Sequence, residues 1–442
     1  MGARVLFFLI CLSIFSASFL RGPAAQNPPD LTPAERARAY FEKGQIDSAI
    51  AVFEAAASAN PKDADLMSQL GFFCAQAGRV DEAIAAYEKA RDLDPRNTEA
   101  LSNLGLLYSG KGRFEEALAS LQKALAMAPD DVALHVNLGG VYFAMQDTAK
   151  AVTAYRRAIS IAPNDAKPHG ALGFVMAEAG SLDVAVSEFS RAAALSPDDV
   201  EVRGSLADAY LGKGEMDSAL VNYRRLLAIA PNAVRARQRL GIVYTEKGML
   251  DSAMVEYRRC LEVAPRWVLP QSNLATVYIR AGMLDSALAA YRRCLALVPD
   301  EAGFHNNIGF VYARKGEIDS ALTAYKRAIR LSKDPNTLAD AQNNLNIMQS
   351  IQAGKIRARH ILVKTQAEAE DILKQLKNGA DFADLARRRS IDPSAAEGGM
   401  TGFFVPGDLD PDFEAAVRQT KAGTLSGVVK TKLGYHIILR LN

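Results

Sequence analysis

Proline recurs at positions 61, 95, 129, 163, 197, 231, 265 and 299, a constant spacing of 34 residues. A period of that length held without a break implies one supersecondary unit copied end to end, each copy burying its apolar face against its neighbours. Other positions repeat in phase. Alanine stands twelve residues before each proline, from Ala49 to Ala287, and again at Ala321. Eight before each proline comes a large side chain: Phe53, Tyr87, Leu121, Tyr155, Phe189, Tyr223, Tyr257 or Tyr291. Glycine lies seventeen before it in every unit but one, where Gln146 takes its place.

Each recurrence has a physical reading. The glycine suits the left-handed residue that ends a helix. An acidic residue three positions on (Asp47, Asp81, Asp217, Asp251, Asp285, Asp319) falls where a second helix starts and complements its dipole. Alanine permits close helix contact, and the aromatic fills the space beside it. The proline is read as opening the next unit, where its missing donor costs least. Together these positions resemble the tetratricopeptide repeat. The resemblance implies a mainly α fold, a right-handed α-solenoid of about nine helix pairs over residues 30–335. Residues 336–353 then read as one capping helix, with Leu338, Ala341, Leu345, Met348 and Gln352 three or four apart.

Several residues invite chemistry and have a plainer reading. His135, His169 and His305 occupy one repeat position in different units, which suits partly buried packing side chains and no metal site. Cys260 and Cys294 stand where other units have Ala90, Ala124 and Ala158, so small core residues are expected. The basic pairs from Arg156-Arg157 to Lys326-Arg327 are interleaved with acids and read as a solvated outer face. Asn103, Asn137, Asn273 and Asn307 share one position on the first helix of their units. In the repeat family such asparagines hold a bound peptide's backbone; local bonding between helices is the alternative.

Charge and the N-terminus bound the partners. The 52 basic and 50 acidic residues nearly cancel, which argues against nucleic acid as the main partner. Arg4 precedes an uncharged run from Val5 to Leu20, and small residues follow it. That run is short of the ~20 residues of a membrane span, so residues 1–25 are expected to be a cleaved signal peptide. Export to a bacterial periplasm follows, with membrane attachment only through an uncleaved signal. Cys11 lacks the small preceding residue of a lipid-anchored cysteine, and Cys74, Cys260 and Cys294 do not make a disulfide framework.

After Gly354 the 34-residue pattern stops, and residues 355–442 read as a small α+β domain. Ile356 to Val363, Leu425 to Lys430 and Tyr435 to Leu441 have strand character; Ala367 to Lys377 and Asp381 to Arg389 read as helices. The segments from Arg359 to Lys364, Gly379 to Ala386 and Ser390 to Ser394 carry a second resemblance. They are followed in order by Gly398-Gly399, Gly402-Phe403-Phe404 and Gly434 to Ile438. The domain resembles the parvulin family of peptidyl-prolyl isomerases. The resemblance implies that His360 and His436 are paired core histidines linked to Thr431, and that Asp392 lies beside the rotating bond. It places Thr401, Phe404, Leu409 and Phe413 around the substrate proline. Thr401 departs from an aliphatic residue common in the family, and Asp410 from a glutamine. No arginine cluster follows Lys364, so phosphoserine specificity is not expected. No cofactor is called for. Two functions fit: an exported foldase acting on proline-containing peptides and unfolded or partner chains, or a non-enzymatic assembly scaffold whose parvulin module only binds chains.

Overall fold

A computed structural model of the chain describes residues 32–442; the expected signal peptide lies outside the described residues. The chain forms two compact units, one ending at Arg259 and the other beginning at Cys260. The first holds most of the repeats. The second holds the remaining repeats and the C-terminal domain.

Among the described residues the array consists of nine helix pairs, from Pro33–Glu42 with Ile46–Ala59 to Ala302–Lys315 with Ile318–Leu331. The periodic alanines, among them Ala49, Ala83, Ala117, Ala219 and Ala321, are wholly buried. So are the large side chains beside them, with Tyr87, Tyr223, Tyr257 and Tyr291 each 1% exposed. A second recurrent glycine lets the aromatic in. A Cβ on Gly241 would sit 2.6 Å from the Tyr257 ring, and one on Gly309 2.6 Å from the Tyr325 ring. In the pairs that carry this glycine the first helix therefore closes onto the second at a distance no side chain would allow, while Ala37, Ala207 and Ala275 stand there in the others.

The helix ends follow the sequence reading, with one correction. Gly44, Gly78, Gly112, Gly180, Gly214, Gly248, Gly282 and Gly316 all have φ between 72° and 78°. Gln146 is the one non-glycine residue with positive φ among the described residues, at 64°. A left-handed L-residue costs about 1–2 kcal/mol, part of which glycine returns as unfolded-state entropy. Gln146→Gly is therefore expected to stabilise the array by about 0.5–1 kcal/mol, measured by urea unfolding followed by helical circular dichroism.

The eight prolines of the 34-residue period do not open helices. Pro61, for instance, follows Asn60, the C-terminal cap of Ile46–Ala59, and the next helix begins at Ala64 behind its cap Asp63. The helix start is marked instead by a carboxylate or amide two residues after the proline: Asp63, Asn97, Asp131, Asp165 and Asp199 accept bonds from first-turn amides. Proline stops the outgoing helix, and a turn is needed before the next side-chain cap.

The acidic residues lie in the first turn of the second helices, as expected, and also reach the following unit. Asp81 pairs with Lys111 at 2.7 Å, Asp217 with Lys247 at 2.6 Å and Asp285 with Lys315 at 2.8 Å. These pairs are open to solvent and contribute to register more than to stability. The last helix runs over Pro335–Gln352 behind the cap Asp334, with Ala341 buried. Its Asn344 donates to Asn306 at 3.1 Å and its Gln352 to Asp319 at 2.8 Å, so it covers the final pair.

The C-terminal domain is built on four antiparallel strands in the order β2-β1-β4-β3, with β1 Ile356–Val363, β2 Met400–Phe404, β3 Val429–Thr431 and β4 Gly434–Arg440. The third strand is shorter and later than the sequence pattern suggests: Leu425 makes only an isolated bridge to Leu439. Helices Gln366–Lys377 and Phe382–Arg389 pack with Ile361, Val363 and Ile437. Helix Pro411–Gln419 brings Phe413 and Val417 to Ala358, Phe404 and Ile438.

Candidate functional site

Strand alternation decides where the site forms. On β1, Ile361 and Val363 enter the core against the two N-terminal helices, so His360 points to the opposite face. β4 lies alongside with Leu362 opposite His436, and the two imidazoles stack at 5.3 Å between centroids with 14° between planes. Gly398 and Gly399 close the turn over β1 with φ of 69° and 81°. The carbonyl of Gly399 accepts from the His360 amide at 2.8 Å, and a Cβ on Gly399 would lie 2.2 Å from the His360 carbonyl oxygen. Only glycine fits there.

One hydrogen-bonded network joins the catalytic residues expected from the family. Thr431 Oγ1 lies 2.8 Å from His436 Nε2, and His436 Nδ1 lies 3.1 Å from His360 Nδ1. His360 Nε2 lies 3.1 Å from Ser394 Oγ and 3.3 Å from Asp392 Oδ1. Burial holds the His360 ring below the ordinary imidazole range against the pull of Asp392. Burial and the neighbouring His360 push His436 down to about 4. Burial works to raise the Asp392 carboxyl, but the Ser394 hydroxyl and amide outweigh it and keep the group below the usual carboxylate range. Near neutral pH the site is thus two neutral imidazoles beside one carboxylate.

Beside this network stands an apolar seat. Phe413 meets both imidazoles edge-on at 5.3 Å, and Phe404 lies 6.4 Å from Phe413. Both phenylalanines are buried, while Leu409 is 37% exposed. The Thr401 hydroxyl bonds the neighbouring strand: it accepts from the Ala358 amide at 3.1 Å and donates to the Ala358 carbonyl at 3.0 Å. Its polar atom belongs to the irregular β1–β2 pairing. Asp410 caps helix Pro411–Gln419, accepting from the amides of Asp412 and Phe413 at 3.0 and 3.3 Å. It aims the helix that carries Phe413.

Two residues of the site carried no role in the sequence reading. Ser394 was part of a family segment only. Glu414 is buried and accepts from the amides of Leu409 at 2.9 Å and Gly407 at 2.9 Å, with Arg418 at 3.2 Å. These amides, Leu409 first, hold the Glu414 carboxyl below its ordinary range and fix the loop that presents Leu409.

In the array, three of the asparagines bond to helices of the preceding unit. Asn103 donates to the Tyr87 hydroxyl at 3.1 Å, and the buried Asn137 donates to Ser102 at 2.9 Å. Asn307 bonds the Tyr291 hydroxyl, and Asn273 is half-buried. The histidines have a definite task. His135, His169 and His305 reach the carbonyls of Pro129, Pro163 and Pro299 through Nε2 at 2.8, 3.1 and 3.1 Å. Arg203 and Arg237 do the same for Pro197 and Pro231 at 2.6 and 2.7 Å. Cys260 and Cys294 are fully buried, and burial pushes the Cys294 thiol up to about 11.

A stack of helix pairs followed by an α+β domain with a two-histidine network defines a repeat protein with an isomerase-type module. Comparison with known proteins makes both parts specific. Residues 347–442 match the family described as the PPIC-type PPIASE domain. Residues 177–234 and 272–335 match one tetratricopeptide repeat family and 234–266 another, while 18–172 match the Cilia and flagella-associated protein 70 C-terminal domain. The chain carries tetratricopeptide repeats and a C-terminal parvulin domain of the PPIC type.

Foldase protein PrsA of Geobacillus sp. (strain WCH70) is 52% identical over 85 residues, 19% of this chain and 31% of that protein. Foldase protein PrsA of Bacillus subtilis (strain 168) is 49% identical over 86 residues, 19% and 30% of the two chains. Chaperone SurA of Aromatoleum aromaticum is 42% identical over 96 residues, 20% and 22%. The chain thus spans less than a third of the length of these relatives. Among solved structures, a thermophilic TPR protein of Thermus thermophilus aligns with a TM-score of 0.37 at 27% identity, covering 41% of this chain and 100% of that one.

Proposed function

We propose that this protein is an exported peptidyl-prolyl cis-trans isomerase whose repeat array holds client or partner chains near the isomerase. Its parts are a signal peptide over 1–25, the array over 30–335, a capping helix over 336–353 and the isomerase over 355–442. The observation that carries the reading is the Thr431–His436–His360–Asp392 network standing against the Phe404–Phe413 seat.

Rotation about a prolyl bond needs no covalent step, only tighter binding of the twisted amide than of either planar form, over a barrier of ~18–20 kcal/mol. The phenylalanines and Leu409 seat the proline ring. Neutral, low-pKa imidazoles are poor proton donors to substrate; they hold the Asp392 carboxylate in place beside the amide. Thr401 contributes to the seat through its methyl group, its hydroxyl being bonded to Ala358. Half-buried Asn103, Asn273 and Asn307 are the groove positions for a client's backbone, and tethering raises the local client concentration at the isomerase.

The test is isomerisation of a short unphosphorylated proline peptide by the full chain, with Asp392→Ala alongside. Acceleration by the wild type and a drop of about 10–100-fold in kcat/KM for the variant are expected. A wild type that leaves the uncatalysed rate unchanged overturns the enzymatic reading.

A further inference from the structure

We propose that Ser394 is a positioning residue of the isomerase site: it holds one oxygen of Asp392 and sets the direction of the hydrogen-bond chain through both histidines. The inference rests on reading residues 355–442 as an isomerase.

A carboxylate only accepts hydrogen bonds, and a hydroxyl has one hydrogen to give. Ser394 gives Asp392 Oδ1 both of its donors, the amide at 2.9 Å and the hydroxyl at 2.6 Å. With its hydrogen spent, Ser394 Oγ can only accept from His360 Nε2, 3.1 Å away. His360, neutral with its hydrogen on Nε2, has a bare Nδ1. That nitrogen accepts from His436 Nδ1–H at 3.1 Å. His436 Nε2 is then bare and accepts from the Thr431 hydroxyl at 2.8 Å, whose oxygen accepts from the Leu433 amide at 3.2 Å. Every donor in the chain points the same way, from the Leu433 amide to Asp392.

The consequence for Asp392 is asymmetry. Oδ1 takes the two Ser394 donors and lies 3.3 Å from His360 Nε2. Among the described residues Oδ2 has no hydrogen bond, so it is the oxygen left to face a substrate amide. The local backbone favours this arrangement, because Asp392 caps the 3-10 turn Pro393–Glu397 through that same Ser394 amide. The titratable groups that act on the carboxylate are His360 from β1 and His436 from β4, and Asp410 at the head of helix Pro411–Gln419 acts in turn on His436. Arg359 of β1 spends its guanidinium on the Gly398 carbonyl at 3.3 Å, and Glu397 ends the turn.

The full chain labelled with 15N-histidine tests the direction without any variant. His360 is expected to carry its hydrogen on Nε2 and His436 on Nδ1; the opposite tautomer in either ring overturns the proposal. Ser394→Ala is expected to weaken the ionisation of Asp392 about tenfold, read by carboxyl 13C titration. The acid limb of kcat/KM moves up with it while KM changes little, and Ser394→Thr restores both. An unchanged Asp392 titration in Ser394→Ala overturns the proposal. A wild type with the expected tautomers and no isomerase activity sinks the enzymatic reading instead, and the carboxyl titration still decides the placement of Ser394.

Discussion

Phe413→Ala removes most of the isomerase activity and destabilises the C-terminal domain by about 3–5 kcal/mol. The ring is 4% exposed and meets both imidazoles edge-on, each at 5.3 Å, while also facing Phe404. Its loss opens a cavity beside the hydrogen-bond network and takes away the wall of the proline seat. Misplacing reacting groups by about 1 Å costs on the order of 100-fold in rate, so kcat/KM is expected to fall by that amount. Phe413→Leu keeps most of the volume and should cost under about 1.5 kcal/mol. The paired variants separate packing from binding. Peptide isomerisation gives the rate, and amide exchange in β1 and β4 gives the stability. A Phe413→Ala protein within twofold of wild-type kcat/KM would show that proline sits elsewhere.

Acidification is the second large effect. The ordinary histidine value is 6.5, and in the folded domain His436 is pushed down to about 4. A depressed value means that folding favours the neutral ring. The stabilisation is complete above 6.5 and is lost as pH falls toward 4, because the unfolded chain takes up the proton first. The loss is on the order of 3 kcal/mol for this group, with His360 adding in the same direction. Asp392, held low, adds its own loss only below its ordinary 3.8. Protection of β1 and β4 amides should therefore drop between pH 6.5 and 4, and His436→Gln should flatten that drop. Trp267, the single tryptophan, lies in the array and is expected to report little of it. An equal drop in wild type and variant would place the acid sensitivity elsewhere.

The repeat architecture was legible because it is written in spacing: the buried alanines, the aromatics and the left-handed glycines fall where the 34-residue period puts them. The role of the prolines was not, because whether a proline opens a helix or closes a turn depends on the residues after it. The side-chain caps at Asp63, Asn97 and Asp131 decide that. In the C-terminal domain His360 and His436 converge as the family likeness implied, since β1 and β4 are neighbours in register. The partner of the Thr401 hydroxyl was not legible, because a hydroxyl beside an irregular strand pairing takes the nearest backbone partner. Ser394 matters through His360, 34 residues away, and Glu414 through loop amides whose direction the sequence does not show.

The side chains that reach back to the proline carbonyls suggest how such an array changes in length. Histidine at 135, 169 and 305 and arginine at 203 and 237 perform one task, while Met67 and Leu101 at the same position have no hydrogen to donate, so the joint between units tolerates the loss of that bond. A joint specified so loosely survives duplication or loss of a unit, because the recurrent buried alanines and aromatics pack the units whether or not that bond is made. The number of helix pairs can then change while the terminal domain stays unchanged.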